Sequence, residues 1–206
     1  YQNVIVGVDI ENHRGITNPQ LDITEIRQRK TVCPSTTGGI NWNSIAYSPQ
    51  TNALYAPTNN VCMDYYLNPV NPTVGGYHSS AVSRKISVPD GDEQIGIFSA
   101  VEVASGKTLW TYKQRAAITG SVLTTGGGLA FVTDDARRFR AFDVDNGSIL
   151  WEQVLNSSAG GFPSTYSVDG EQYVAIAAGG GVSHRALTPE IQQRRGGNML
   201  FVFKLP

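Results

Sequence analysis

The chain contains few of the residues whose abundance would indicate a nucleic-acid or membrane partner. Only 16% of its 206 residues are charged, and 16 basic against 17 acidic side chains give a net charge of -1. These charges are spread along the chain, so the sequence gives no support for binding to nucleic acid or to an anionic membrane surface. No apolar run approaches the roughly 20 residues of a transmembrane helix, and no signal peptide is visible.

Histidine and cysteine are also scarce, with three and two copies respectively. His13 and His184 have no partner at the spacing of metal ligands, which argues against a metal site built from them. Cys33 and Cys62 are ambiguous by count alone, and that count favours two buried thiols in a cytosolic protein.

Glycine is abundant, with 22 copies, and two of the glycines belong to an internal repeat. The segments 100–110 and 141–151 share Ala, an acidic residue, Gly and Trp at an offset of 41 residues. A period of roughly 40 residues is typical of one four-stranded β-propeller blade. We expect the Gly in a tight turn between two strands, and the Trp on the next strand, packed between neighbouring sheets.

Short apolar and alternating segments bounded by turn residues predict strands along most of the chain. The predicted strands cover residues 4–10, 43–48, 53–58, 96–103, 107–113, 121–125, 129–133, 139–144, 149–155, 161–168, 172–177 and 198–204.

Other segments lack this rhythm. Residues 16–30 are interpreted as a connector with at most a short helical turn, and residues 65–92 and 179–197 as long excursions from the repeat. Asp134 and Asp135, beside Arg137 and Arg138, are predicted to form a solvated, self-compensating loop.

The sequence therefore predicts an all-β protein made of propeller blades. Residues 1–206 provide about three blades and a partial one. Propellers close with four to eight blades, because a closed ring protects the sheet edges. We expect an upstream segment or another chain to supply the rest of the ring.

Several motifs, in order along the chain, resemble the C-terminal portion of the pyrroloquinoline-quinone (PQQ) dependent alcohol and sugar dehydrogenases. The 41-residue repeat resembles their tryptophan-docking motif, with Glu102 replacing Asp in one copy. Residues 33–42 resemble a Cys-Pro-Ser segment that is followed by a cofactor-contacting Asn. Residues 123–131, 161–176 and 196–203 resemble later strands and the end of that family. The resemblance implies an eight-bladed propeller that holds PQQ and Ca²⁺ or a lanthanide.

The resemblance also implies cofactor contacts. Asn41 would donate its amide to the quinone and Trp42 would help to wall the site, whereas spacing alone makes Asn41 a turn residue and Trp42 a core residue. Thr119 and Gly120 stand where many members have Trp-Gly beside PQQ, and Gly160 lies on a similar inner-strand approach.

The implied function is oxidation of an alcohol, polyol or sugar, with electron transfer to a cytochrome or a quinone. The family's metal ligands and catalytic base come earlier in the chain, so no catalytic or metal-binding residue is assigned here. The isolated segment is expected to be inactive. The alternative is a non-catalytic propeller scaffold that carries the same docking repeats. No Cys-x-x-Cys-His motif for a c-type haem occurs.

A disulfide between Cys33 and Cys62 is a further implication of the resemblance. Their separation of 29 residues matches a cysteine pair of the methanol dehydrogenase branch, and the two residues flank predicted strands. A disulfide implies an oxidising compartment, here the periplasm. By the chain-entropy model it would contribute about 3–4 kcal/mol.

Overall fold

The computed structural model describes residues 1–89, 91–179, 184–191 and 196–205. Its regular structure consists of β-strands and one short 3-10 helix, Pro19–Leu21, and no helix among the described residues is long and apolar enough to cross a membrane. The strands are β1 (Ile5–Asp9), β2 (Arg14–Thr17), β3 (Lys30–Val32), β4 (Ala46–Ser48), β5 (Ala53–Asn59), β6 (Cys62–Leu67), β7 (Ala81–Ile86), β8 (Gly96–Glu102), β9 (Thr108–Gln114), β10 (Leu123–Thr124), β11 (Leu129–Thr133), β12 (Arg138–Asp143), β13 (Ile149–Val154), β14 (Ser164–Val168), β15 (Glu171–Ala178) and β16 (Met199–Lys204).

The chain divides into two compact units, the first of which comprises Tyr1–Gly39 and Asn60–Glu93. It contains the β1–β2 hairpin and an antiparallel sheet in the order β3-β6-β7. Cys33 and Cys62 are both fully buried and form a disulfide with an S–S distance of 1.98 Å. The predicted pairing is thus confirmed.

Residues 65–92 belong to the first unit, outside the 41-residue repeat as predicted, but they are not irregular throughout. β6 and β7 pair antiparallel over six residues, from Cys62 opposite Ile86 to Leu67 opposite Ala81. The Pro- and Gly-rich stretch of residues 68–80 joins the two strands, and its turn signals concealed the strands on either side. The second predicted excursion lies partly outside the described residues, at positions 180–183 and 192–195.

The second unit, Ile40–Asn59 with Gln94–Pro206, contains three antiparallel sheets. The first sheet has the order β4-β5-β8-β9, the second β10-β11-β12-β13 and the third β14-β15-β16. Two clusters of buried apolar side chains hold the sheets together. One joins the first and second sheets and includes Tyr55, Phe98 and Phe142. The other joins the second and third sheets and includes Phe139 and Ile176.

The 41-residue repeat has the same backbone geometry in both copies. Gly106 and Gly147 have φ angles of 69° and 73°, in the left-handed region that favours glycine. Each glycine donates its N–H to the carbonyl four residues earlier, at 2.9 Å. A β-bulge also occurs at equivalent positions, after Ala100 and after Ala141. The repeat therefore specifies a turn and the strand pairing beside it.

The two repeat tryptophans each contact the following sheet. Trp110 of the first sheet donates its indole N–H to the carbonyl of Val144 at 2.8 Å. It also covers Gly147, where an added Cβ would lie 2.6 Å from the Trp110 ring. Trp151 of the second sheet packs edge-on against Phe203 of the third, with 5.0 Å between ring centroids. The predicted packing of these side chains between sheets is confirmed, although both indoles are only half-buried.

Replacing Trp110 by Phe is expected to lower the free energy of unfolding by about 1–2 kcal/mol, because a hydrogen bond and part of the packed ring are lost. Trp151→Phe is the control, since its indole N–H donates to no residue in the described part of the chain. Urea unfolding of the complete protein, followed by fluorescence, measures both. Equal effects of the two variants would contradict a contribution from the Trp110 hydrogen bond.

The prediction of a solvated loop at residues 134–138 was also wrong. Asp134 and Asp135 are only 1% and 0% exposed. Asp134 accepts a hydrogen bond at 2.7 Å from Arg140, which lies on β12 and is itself buried. Burial raises the pKa of the Asp134 carboxyl above its ordinary value, against the opposing effect of Arg140. The sequence suggested Arg137 and Arg138 as the partners of the two aspartates because they are close along the chain. The buried partner of Asp134 is instead Arg140, whose side chain points inward from β12.

Candidate functional site

Three connecting segments of the second unit meet at the start of its three sheets. The first connector, residues 40–45, leads into β4; the second, residues 115–122, leads into β10; and the third, residues 155–163, leads into β14. The side-chain amide of Asn43 donates to the carbonyl of Thr119. Nearby, Ser44 donates its N–H to Ser121 Oγ at 2.9 Å. The first and second connectors are therefore in direct contact.

The second and third connectors are joined in a similar way. Ser121 donates its N–H to the carbonyl of Gly161 at 3.2 Å. Thr133, at the end of β11, bonds to both segments: its carbonyl accepts from the N–H of Gly120 at 3.2 Å, and its hydroxyl donates to Ala159. A Cβ added at Gly160 would lie 3.7 Å from the carbonyl oxygen of Thr119.

The structure thus brings together three of the five residues expected to contact a cofactor, namely Thr119, Gly120 and Gly160. Asn41 and Trp42 lie in a bend of the adjoining first connector, immediately before Asn43. The Trp42 side chain is 73% exposed, so it belongs to no core formed by the described residues. Phe162 of the third connector is similarly exposed, at 65%.

Sequence reasoning missed the buried polar residues that hold these connectors. Asn59, at the end of β5, donates its side-chain amide to Ile118 O and accepts from Ile118 N, both at 2.8 Å. Asn43 and Thr133 have comparable roles. The partners of the two asparagines are 59 and 76 residues away in sequence. The only local signal was a polar residue at an inward position of β5, where the burial alternates.

The hydroxyl of Thr119 gives this region the character of a binding site. It is buried, and it has no hydrogen-bond partner among the described residues. Nearly all buried polar groups are partnered in native proteins, so this hydroxyl has an unused hydrogen-bonding capacity, as have Thr125 Oγ1 and Arg137 Nε elsewhere. A Cβ added at Gly160 would meet only the carbonyl oxygen of Thr119 within 4 Å, and Trp42 of the first connector has an exposed ring. The described residues contain no group of three His, Cys, Asp or Glu side chains arranged to hold a metal ion.

Comparisons with known proteins show what this chain is similar to. A family model described as the β-propeller domain of PQQ-dependent glucose, ethanol and alcohol dehydrogenases matches residues 92–174. The chain is homologous to a part of the PQQ-dependent methanol and ethanol dehydrogenases, and its three- and four-stranded sheets match blades of their propeller. The predicted fold class is therefore confirmed, and the three sheets of the second unit correspond to blades.

Individual relatives agree with this assignment. The chain is 33% identical over 183 residues to the lanthanide-dependent methanol dehydrogenase of Methylacidiphilum fumariolicum (strain SolV), covering 88% of this chain and 30% of that protein. It is 35% identical over 182 residues to the 1-butanol dehydrogenase (quinone) of Thauera butanivorans, covering 85% and 28%. A solved europium-containing methanol dehydrogenase superposes with a TM-score of 0.87 at 29% identity, covering all of this chain and 40% of that one. The chain thus spans about 30% of the length of these curated relatives.

Proposed function

We propose that the complete protein is a PQQ-dependent dehydrogenase that oxidises an alcohol, polyol or sugar and passes the electrons to a cytochrome or a quinone. The observation that carries the proposal is the junction of the connectors at Thr119: its buried hydroxyl lacks a partner among the described residues, and its carbonyl oxygen lies 3.7 Å from a Cβ added at Gly160. A scaffold propeller would share the docking repeat but would have no need of Asn41 and Trp42 in the adjoining connector. The disulfide of the first unit is consistent with a periplasmic location.

The bound quinone, with its Ca²⁺ or lanthanide ion, would supply the hydride-accepting chemistry. The residues of this chain would bind and orient it. The Thr119 hydroxyl and the Asn41 amide would donate hydrogen bonds to its oxygens, Gly160 would allow close approach, and Trp42 would exclude water. The resemblance implies that the metal ligands and the catalytic base lie earlier in the protein, so neither role is assigned to a residue of this chain.

Further blades, supplied by an upstream segment or by another chain, are the partners expected for this chain. The outer face of the third blade is apolar and exposed, with Tyr166, Val168, Leu200 and Val202 on its surface. At the other end, Gly106 of the first blade has nothing within 4 Å of an added Cβ, whereas the equivalent Gly147 is covered by Trp110. We propose that neighbouring blades cover both surfaces, a proposal supported by the limited part of its homologues that this chain covers.

Replacing Asn41 by Ala in the complete protein is expected to weaken PQQ binding about tenfold, since a hydrogen bond to a charged or strongly polar group contributes roughly 1.5–3 kcal/mol. Absorbance titration with PQQ in the presence of Ca²⁺ or a lanthanide measures the affinity, and alcohol-dependent dye reduction measures the activity. Asn146→Ala is the control, because Asn146 caps the turn at Ser148 and lies outside the connectors.

The outcomes separate the function from the residue assignment. Failure of the unmodified complete protein to bind PQQ would overturn the proposed function in favour of the scaffold. If the unmodified protein and the Asn41→Ala variant bind PQQ equally well, Asn41 is only a turn residue.

A further inference from the structure

The connection between the last two strands of the third blade contains a folded segment, residues 184–191, here called the strap. Its backbone bonds to itself: Leu187 and Thr188 donate their N–H groups to His184 O at 2.9 and 3.2 Å, and Ile191 donates to Thr188 O at 3.1 Å. His184 and Thr188 are buried, at 2% and 0% exposure. The strap is therefore a fixed element packed onto the protein.

One anchor of the strap is on the first blade. Arg115, the residue that follows β9 and begins the second connector, forms an ion pair with Glu190 at 2.7 Å. The same guanidinium donates to the carbonyl of Leu187 at 2.5 Å. Arg115 thus binds both a side chain and a backbone carbonyl of the strap.

The second anchor is on the second blade. His184 Nδ1 lies 3.6 Å from Asp135 Oδ2, and both side chains are almost completely buried. Neither carboxylate oxygen of Asp135 accepts a hydrogen bond from the described residues. The imidazole of His184 therefore lies within 4 Å of a buried carboxylate that has no hydrogen-bond partner among the described residues. Spacing in the sequence did not predict this contact, because Asp135 is far from His184 along the chain.

The backbone of Asp135 lies between the two connectors that carry the candidate cofactor contacts. Its N–H donates to Ala117 O at 2.9 Å, on the second connector. Its carbonyl accepts from Ser158 Oγ at 3.1 Å, on the third connector. Ala117 is two residues before Thr119, and Ser158 is two residues before Gly160. Any shift of Asp135 therefore reaches both sides of the site.

We propose that the strap is a positioning device for the quinone site, with Asp135 as its central positioning residue. Through Arg115 and His184 the strap holds the second connector and Asp135 in place, and Asp135 fixes the distance between the second and third connectors. That distance sets the position of the Thr119 hydroxyl relative to Gly160. This inference rests on the proposed function only in naming PQQ as the ligand. The contacts between the strap and the connectors do not depend on which ligand binds.

The test compares Asp135→Asn with Asp134→Asn in the complete protein. The two residues are adjacent and equally buried, but Asp134 faces Arg140 and not the strap. We expect Asp135→Asn to weaken PQQ binding about tenfold, the lower end of what outer-shell partners contribute at ligand sites. In the cofactor-free protein it should accelerate amide exchange at Gly120 and Ser121, whose N–H groups bond to Thr133 and Gly161. Asp134→Asn should lower the melting temperature and leave PQQ affinity and these exchange rates unchanged.

Equal PQQ affinities and equal exchange rates in the two variants would overturn the strap proposal while leaving the proposed function intact. If the unmodified protein does not bind PQQ, the proposed function is overturned. The amide exchange rates at Gly120 and Ser121 would still test whether the strap positions the two connectors. If Asp135→Asn does not fold, Arg115→Gln replaces it, because it releases the strap at its exposed end. Arg115→Gln should weaken PQQ binding and accelerate exchange at the same two amides, and no change in either would overturn the proposal.

Discussion

Replacing Arg140 by Met in the complete protein is expected to lower the free energy of unfolding by about 3–5 kcal/mol, the usual effect of removing one partner of a buried ion pair. Asp134, which is 1% exposed, would be left without the guanidinium that lies 2.7 Å from its Oδ2. Gln114 would still donate to this oxygen at 3.1 Å, but a neutral amide compensates a buried charge incompletely. The effect is large because Arg140 also joins two blades, donating to Gln114 Oε1 at 2.8 Å and to Glu152 at 2.7 Å.

Arg138→Met is the matched control for this experiment. Arg138 lies on the same strand and also pairs with Glu152, at 3.2 Å, but its side chain is 42% exposed. An exposed ion pair contributes at most about 1 kcal/mol. The double replacement Asp134→Leu with Arg140→Met should recover most of the lost stability, since apolar residues can replace a buried pair at little cost. Urea unfolding with an unchanged m-value measures all three variants. Similar losses for Arg140→Met and Arg138→Met would contradict a buried pair at this position.

The docking repeat could be predicted from the sequence because its determinants are local. Gly147 supplies the left-handed turn, and Trp151 follows four residues later on the next strand, so both fall in one short window. The equivalent geometry at Gly106 confirms that the same few residues specify the same turn. The pairing of Cys33 with Cys62 came from a resemblance, since the cysteine count by itself favoured free thiols.

The architecture of the site could be predicted only in part. Thr119, Gly120 and Gly160 were identified by their place in family motifs, and the structure brings them together. The groups that hold them there are buried polar side chains whose partners lie far away in sequence: Asn43, Asn59, Thr133, and Asp135 with His184. No periodicity or spacing rule connects residues 59 positions apart. The burial of Asp134 and Asp135 was missed for the same reason, since a run of mixed charges normally indicates a solvated surface.

Replacing Gly120 by Ala is expected to lower the free energy of unfolding by roughly 3 kcal/mol, the upper end of the usual overpacking range, and to abolish PQQ binding. The added Cβ would lie 1.9 Å from Thr133 Oγ1 and 3.0 Å from the backbone nitrogen of Thr133. The hydroxyl cannot simply rotate away at no cost, because it donates to the carbonyl of Ala159. To relieve the clash, Thr133 must move away from either the second or the third connector. Either movement changes the position of Thr119 relative to Gly160.

The Gly160→Ala variant distinguishes a loss of PQQ affinity caused by disturbed packing from one caused by a lost contact with the cofactor. An added Cβ at Gly160 would lie 3.7 Å from the carbonyl oxygen of Thr119, an ordinary van der Waals distance. We therefore expect its free energy of unfolding to stay within about 0.5 kcal/mol of the unmodified value. Its PQQ affinity should nevertheless fall, because the methyl group occupies the space through which Gly160 allows close approach. Urea unfolding and PQQ titration of both variants in the complete protein test the pair. A stable Gly120→Ala protein would contradict the packing of Thr133 against the second connector, and unchanged PQQ affinity in Gly160→Ala would remove Gly160 from the proposed site.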